Sequence, residues 1–201
     1  MSANRKKSKE LDEDELETLA WQMEVRHEND PPAKPDPDLL KICSVCETGT
    51  AKELKEILEK QENLGRFFES AQFLVDSMCS EIEPIQKVKV LLDLGANPNV
   101  TECTDVYPLT TAAHINNPEV INVLLKAGAK IDQIEIHQNW TALMTSAAIG
   151  SSEAVKILLE YGADVSLKSI HGYTAIDLAR LNKRQNVMKV ILKFLEKKLN
   201  K

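Results

Sequence analysis

The feature that most constrains this 201-residue chain is a repeat of 33 to 34 residues in its second half. A pair of leucines followed by Gly-Ala occurs three times, with the glycines at Gly95, Gly128 and Gly162. The loop segments that follow these glycines also align, at residues 105–109, 139–143 and 172–176. One unit of this length cannot bury its own apolar face, so the repeat predicts stacked units that share a continuous core.

Each unit has the pattern of two short helices. In the unit with the clearest pattern, Val155, Leu158 and Leu159 have the spacing of one helical face. Gly162 follows them as a left-handed helix end, and Gly150 separates this helix from an earlier one. The sequence therefore predicts a helix-turn-helix unit, repeated along the chain.

These units resemble the ankyrin repeat family. The resemblance rests on the period and on three segments, Thr-Ala-Leu at 141–143, Thr-Ala-Ile-Asp-Leu-Ala at 174–179 and Gly-Ala-Asp-Val at 162–165. It is strong over residues 85–201 and weaker from residue 38 onward. The fold class that it implies is an all-α solenoid of stacked helix-turn-helix units joined by β-turn or hairpin loops.

The expected organisation is an N-terminal arm followed by about five ankyrin-like units. Residues 1–37 form the acidic arm and a proline-rich linker, and residues 38–201 form the repeat domain. The predicted units are 38–64, 65–98, 99–131, 132–165 and 166–201. We expect the first helix of the second unit to be longer than usual, with an apolar face formed by Phe67, Ala71, Leu74 and Met78.

The units depart from the family pattern in their loops. None keeps the family's Thr-Pro-Leu-His intact, and the loop glycine is replaced by Asp105 and Asn139. Asn and Asp tolerate a positive φ better than other non-glycine residues, so we expect the turns to be kept.

The arm contains a predicted amphipathic helix at residues 10–28. Leu16, Leu19 and Met23 lie on one face of that helix, opposite a dense acidic face. Two interpretations are open: the helix folds back onto the first unit or stays partly disordered, or it docks its apolar face into a partner's groove.

Charge and hydropathy exclude several classes of protein. The central body, residues 39–182, is acidic, which argues against nucleic acid as the main ligand. No apolar run approaches the roughly 20 residues that a membrane helix needs. The polar, basic start does not have the pattern of a secretory signal. We therefore expect a cytoplasmic protein; Lys6-Lys7-Ser8-Lys9 resembles a nuclear import signal and suggests the nucleus as a further location.

No catalytic or cofactor motif is present in the sequence. It has no phosphate-binding glycine loop and no His-Glu-x-x-His or Gly-x-Ser-x-Gly segment. Cys43 and Cys46 have the spacing of a metal-binding pair, but a second ligand pair at suitable spacing is missing. We interpret both as small core residues and expect no metal, no cofactor and no enzymatic activity.

The candidate binding residues follow from the family resemblance. In ankyrin proteins the loop tips and the ends of the first helices form a concave face that usually binds partners. At those positions this sequence has Val106, His114, Ile115, His137, Gln138, Trp140, Ala148, Ile149, Ile170, His171, Tyr173 and Leu181. Ile134 and Ile136, in the longer loop, are a further apolar pair that we expect to be exposed.

The predicted function is non-catalytic binding of a partner protein through this concave face, as an adaptor or regulatory subunit. The expected state is a monomer or a subunit of a hetero-complex. One alternative is a structural subunit of a large assembly, anchored by the arm. A less favoured alternative is a reader of modified lysines or small ligands, with Trp140, Tyr173 and Tyr107 as an aromatic cage.

Overall fold

The structure is a computed structural model that describes residues 37–61, 64–68, 71–100 and 107–200. These residues form ten α-helices and no β-strand, in five consecutive pairs. The first two pairs are α1 (Pro37–Thr48) with α2 (Ala51–Leu58) and α3 (Gln72–Cys79) with α4 (Pro84–Asp93). The next two are α5 (Pro108–His114) with α6 (Pro118–Lys126) and α7 (Ala142–Ile149) with α8 (Ser152–Glu160). The last is α9 (Ala175–Leu181) with α10 (Gln185–Leu199).

The pairs stack in two layers. The first helices, α1, α3, α5, α7 and α9, pack successively against one another, and the second helices do the same from α2 to α10. Each second helix contributes a fully or almost fully buried side chain to one continuous core. These residues are Leu54, Leu91, Leu124, Leu158 and Ile191. The all-α solenoid that the sequence predicts is therefore confirmed.

The helix ends follow local rules that the sequence carries. Thr141 and Ser151 cap α7 and α8, because the side-chain oxygen of each accepts a hydrogen bond from the backbone N–H three residues later. Thr174 and Asp177 form a reciprocal capping box at the start of α9. Gly162, just beyond α8, has a φ of +94°, as a left-handed helix end requires.

The prediction of a long first helix in the second unit is wrong. A 3-10 turn, Leu64–Phe67, precedes a separate helix that begins only at Gln72 and has eight residues. Gly65 lies in the 3-10 turn, and glycine disfavours a continuous helix by about 1 kcal/mol relative to alanine. Leu74 and Met78 are still buried on one face of α3, as predicted.

Several predictions fall on residues that the structure does not describe. The arm, with Leu16, Leu19 and Met23, lies outside the described residues, and so does Val106. The arm and the unit boundaries therefore stay predictions. Among the helices that the structure does describe, none is both long enough and apolar enough to cross a membrane.

Candidate functional site

The candidate site begins at two loops that precede the last two helix pairs. Loop 4 (residues 127–141) leads into α7, and loop 5 (residues 161–174) leads into α9. Within loop 4 the Glu135 N–H donates to the Trp140 carbonyl oxygen at 3.0 Å. Within loop 5 the Ser169 N–H donates to the Tyr173 carbonyl oxygen at 2.9 Å. Each loop is therefore closed on itself by a backbone hydrogen bond at an equivalent place.

A third backbone hydrogen bond joins the two loops. The Ile170 N–H of loop 5 donates to the Gln138 carbonyl oxygen of loop 4 at 3.1 Å. The tips of the loops are thus held at a fixed separation. Side chains on the two tips form a single surface as a result, which we call the loop face.

The loop face exposes apolar side chains. Ile134 and Ile136 of loop 4 are exposed, as the sequence predicted, and so are Ile170 and Tyr173 of loop 5. The rings of His171 and Tyr173 approach with centroids 6.5 Å apart and planes tilted by 49°. Folding leaves these apolar groups in water, and a partner that covered them would gain the free energy of removing that area from solvent.

Trp140 differs from its neighbours on the loop face. Its ring is half-buried and packs against the core, whereas His137 and Gln138 are exposed. The residue before it, Asn139, has a φ of +51°, which confirms that asparagine can replace the loop glycine. Only part of the Trp140 ring is therefore accessible to a partner. The buried part of the ring has a structural role, because it packs against the core.

A second row of candidate residues lies at the other end of the first helices. His114 and Leu181 are exposed, while Ile115, Ala148 and Ile149 are half-buried. A helix of seven or eight residues is about 11 Å long, so this row lies about that far from the loop tips. The helix-end row and the loop face are thus two strips and not one cluster.

Side-chain hydrogen bonds fix each loop to the next one. The Asn99 side-chain oxygen accepts from the Lys130 N–H at 2.7 Å. One repeat later, the Asp132 carboxylate accepts from the Asp164 N–H at 3.0 Å. The same position in two successive repeats thus accepts a hydrogen bond from the same position of the following repeat.

Electrostatics at the base of loop 5 come from Asp177. Its carboxylate accepts hydrogen bonds from the Thr174 hydroxyl at 2.6 Å and from the Thr174 N–H at 3.1 Å. These bonds hold the pKa of Asp177 below its usual value. Arg180 lies 3.3 Å from the same carboxylate. The Asp177 carboxylate therefore stabilises the start of α9, and Arg180 partly neutralises its charge.

The two cysteines with metal-like spacing are core residues. Cys43 and Cys46 are reduced thiols buried in α1, as expected. Burial raises the pKa of both thiols, that of Cys46 to about 12, so both stay protonated at neutral pH. Among the described residues no group of three His, Cys, Asp or Glu side chains is placed to hold a metal ion.

Two features of the last helix pair are not predicted by the sequence. Arg184 extends back to the fourth pair, where its Nε donates to the Ala148 carbonyl oxygen at 3.1 Å. Leu192 and Leu199 of α10 are exposed. The spacing of apolar residues in α10 was a signal for the second feature, whereas nothing in the sequence pairs Arg184 with Ala148.

Comparison with known proteins supports the repeat assignment. The family model for ankyrin repeats (three copies) matches residues 77–169 and 133–201, which together cover more than half of the chain. Protein fem-1 homolog C of Homo sapiens is 37% identical over 54 residues, 27% of this chain and 9% of that protein. Protein fem-1 homolog A of Bos taurus is 46% identical over 48 residues, 24% of this chain and 7% of that protein.

These relatives are similar to this chain over a short segment only. The matched segment spans less than a tenth of the length of either relative. Ankyrin repeats generally act as protein-protein interaction modules and are generally not enzymes, so the family points to binding and not to a named activity. The period, the stacked helix pairs and the family match agree, and the chain belongs to the ankyrin repeat family.

Proposed function

We propose that this chain is a non-catalytic binding module for a partner protein, and that the partner contacts the loop face. The hydrogen bond between Ile170 and Gln138 is the observation that carries the proposal. It fixes two loops that expose Ile136, Ile170 and Tyr173, so these anchors lose little freedom when a partner arrives. Apolar and aromatic anchors of this kind often contribute about 2 kcal/mol or more each to binding.

The charge of the repeat stack supports a particular class of partner. The central body of the chain is acidic, and a basic or mixed surface would be attracted to it. The partner should combine such charges with an apolar patch that covers the loop face. We expect its association rate to fall as salt is added, since exposed charges are screened.

The experiment is affinity capture with three baits: the wild-type chain, Ile136→Ser/Tyr173→Ala, and Tyr161→Ala. Tyr161 is 44% exposed and Tyr173 is 41% exposed, but Tyr161 follows α8 at the opposite end of loop 5 from the tip. Tyr161→Ala is therefore a control matched in residue type and exposure. A partner of the loop face should be lost with the double variant and retained with the control.

Circular dichroism must first show that all three baits are equally helical. If every captured protein is retained by the double variant, the loop face is not the binding surface. If the partner is lost with both baits, the effect is not specific to the loop face and the proposal fails as well.

The location of the protein is part of the same proposal. A cytoplasmic or nuclear partner would agree with Lys6-Lys7-Ser8-Lys9, which resembles a nuclear import signal and lies outside the described residues. A fluorescent fusion should be present in the cytoplasm and also in nuclei, and Lys6→Ala/Lys7→Ala/Lys9→Ala should abolish the nuclear part.

A further inference from the structure

The last helix, α10, carries a second apolar stripe besides the one that faces the core. Val187 and Ile191 are buried in the core. Met188, Leu192, Leu195 and Leu199 follow one another at intervals of four, three and four residues, which puts them in one line along the helix. This is the spacing of a coiled-coil contact line. We call these four residues the α10 stripe.

The α10 stripe is poorly covered by the rest of the molecule. Leu192 is 46% exposed and Leu199 is 86% exposed, while Met188 and Leu195 are partly buried. Terminal units of a repeat stack usually have a polar outer face. Here the last pair and the loop before it contain six of the nine large apolar side chains that are exposed in the described residues.

The surroundings of the α10 stripe are basic. Residues 183–201 contain seven basic side chains and one acidic one, Glu196. Lys189 and Lys193 are exposed and each follows a stripe residue by one position, so they lie along one flank of the stripe. A matching partner must therefore be an amphipathic helix with its own apolar line and acidic flanks.

A segment of this chain has the required chemistry. Residues 10–28 contain eight acidic side chains and one basic side chain, Arg26. Leu16, Leu19 and Met23 repeat the intervals of three and four residues that the α10 stripe has, and Glu13 and Glu17 flank them. We propose that the α10 stripe binds residues 10–28 of a second copy of this chain.

The length of the connecting chain argues for a second copy over the same copy. Residue 37 begins α1, four steps of the stack away from α9 and α10, which is roughly 40 Å at the usual distance between packed helices. The eight residues 29–36 span at most about 28 Å when fully extended. Residues 10–28 of the same copy could cover the remaining distance only by running along the stack. They would then cross α10 at a steep angle and could not lie along the α10 stripe.

Two copies can make this contact if they exchange residues 10–28. If they lie side by side in opposite directions, the first pair of each is near the last pair of the other. Each copy then gives residues 10–28 to the partner's α10 stripe, and the two equal contacts close the assembly as a dimer. This contact does not include the loop face, so the inference is independent of the proposed function.

The test uses two charge-reversed variants of the full chain in sedimentation experiments. In Lys189→Glu/Lys193→Glu the flank of the α10 stripe becomes acidic, like the Glu13 and Glu17 flank of the segment, and in Glu13→Lys/Glu17→Lys both flanks are basic. The wild type should be a dimer at micromolar concentration, and each variant alone should associate at least tenfold more weakly. An equal mixture of the two variants should form the dimer again, because the flank of each segment then meets a stripe flank of opposite charge.

Two controls complete the test. Lys126→Glu/Lys130→Glu makes the same charge change at exposed positions with the same spacing and should leave the dimer intact. Leu192→Ser/Leu199→Ser removes the exposed apolar groups without touching the core and should give a monomer. A wild type that is monomeric at all concentrations, variants that dimerise alone, or a mixture that stays monomeric would each overturn the proposal.

Discussion

The ammonium nitrogen of Lys87 lies 2.8 Å from the main-chain carbonyl oxygen of Cys46, and the lysine side chain is fully buried. The same nitrogen also donates to the Ser80 hydroxyl at 2.8 Å, and that hydroxyl donates to the Glu47 carbonyl oxygen at 2.6 Å. Cys46 and Glu47 belong to the last turn of α1, where carbonyls have no partner within the helix. Lys87 of α4 thus supplies a hydrogen-bond donor to a carbonyl at the end of α1.

We predict that Lys87→Met destabilises the protein by about 1–3 kcal/mol. Methionine has nearly the same length but cannot donate, so the buried Cys46 carbonyl loses its partner. The favourable placement of a cation at a helix C-terminus is lost too. Urea unfolding followed by circular dichroism measures the change.

Lys89→Met is the matched control, because Lys89 is exposed on the same helix and its replacement should change stability by less than about 0.5 kcal/mol. Burial lowers the pKa of Lys87, which shows that holding the charge costs free energy. An increase in stability for Lys87→Met would mean that this cost exceeds the value of the two hydrogen bonds.

The buried thiols of α1 predict a loss of stability at alkaline pH. Burial raises the pKa of Cys46 from 9.0 to about 12, and that of Cys43 is raised as well. Above pH 9 the unfolded chain releases these protons before the folded one, so stability falls as pH rises. The slope should be about 1.4 kcal/mol per pH unit for each thiol.

The Cys46→Ala variant separates this effect from others. Lys87 acts in the opposite sense, since its lowered pKa makes stability rise with pH below 10.5, but it is present in both proteins. The unfolding free energies of wild type and variant should run parallel below pH 8 and approach each other above pH 9. Parallel curves up to pH 10.5 would contradict the raised pKa of Cys46.

Much of the fold could be predicted because its signals are local. Gly162 and Thr174 set helix ends through their own backbone or side chain, and the period of the repeat placed these residues in equivalent units. The second pair was harder to predict. Its first helix is shorter than expected, and one of the contacts that join it to the first pair is made by Lys87, a residue type that is seldom fully buried.

The sequence could predict which candidate residues lie in the loops, but not how deeply each side chain is buried. The sequence correctly predicted that Ile134 and Ile136 of the longer loop are exposed. It could not say how far Trp140 turns toward the core, because this depends on packing in the folded chain and not on spacing along the sequence. The exposure of Leu199 likewise depends on which side of α10 packs against α8 and α9.

A third prediction concerns the contact between Gly150 and Arg184. Gly150 has a φ of +99°, and a Cβ there would lie 2.7 Å from the Arg184 Cδ. We expect Gly150→Ala to destabilise the protein by about 2–3 kcal/mol, since the left-handed backbone costs alanine about 1–2 kcal/mol and Arg184 must also give up its hydrogen bond to Ala148. Thermal and urea unfolding give the value.

Gly162→Ala is the matched control for that contact. Gly162 has a nearly equal φ of +94°, but a Cβ there would meet no atom within 4 Å. It should therefore cost only the backbone part, about 1–2 kcal/mol. If both variants lose the same free energy, the Arg184 contact contributes nothing to stability.

The last prediction concerns Asn139, which stands where most ankyrin units have glycine. Its φ of +51° lies in the left-handed region, which asparagine tolerates and alanine does not. We expect Asn139→Gly to change the free energy of unfolding by less than about 0.5 kcal/mol, and Asn139→Ala to lower it by about 1 kcal/mol. Because the turn also positions Gln138 to accept from Ile170, the alanine variant should weaken partner binding at the loop face while the glycine variant retains it. Equal stability of the two variants would show that loop 4 can adopt another backbone conformation, and then the separation of the two loop tips would not be fixed by this turn.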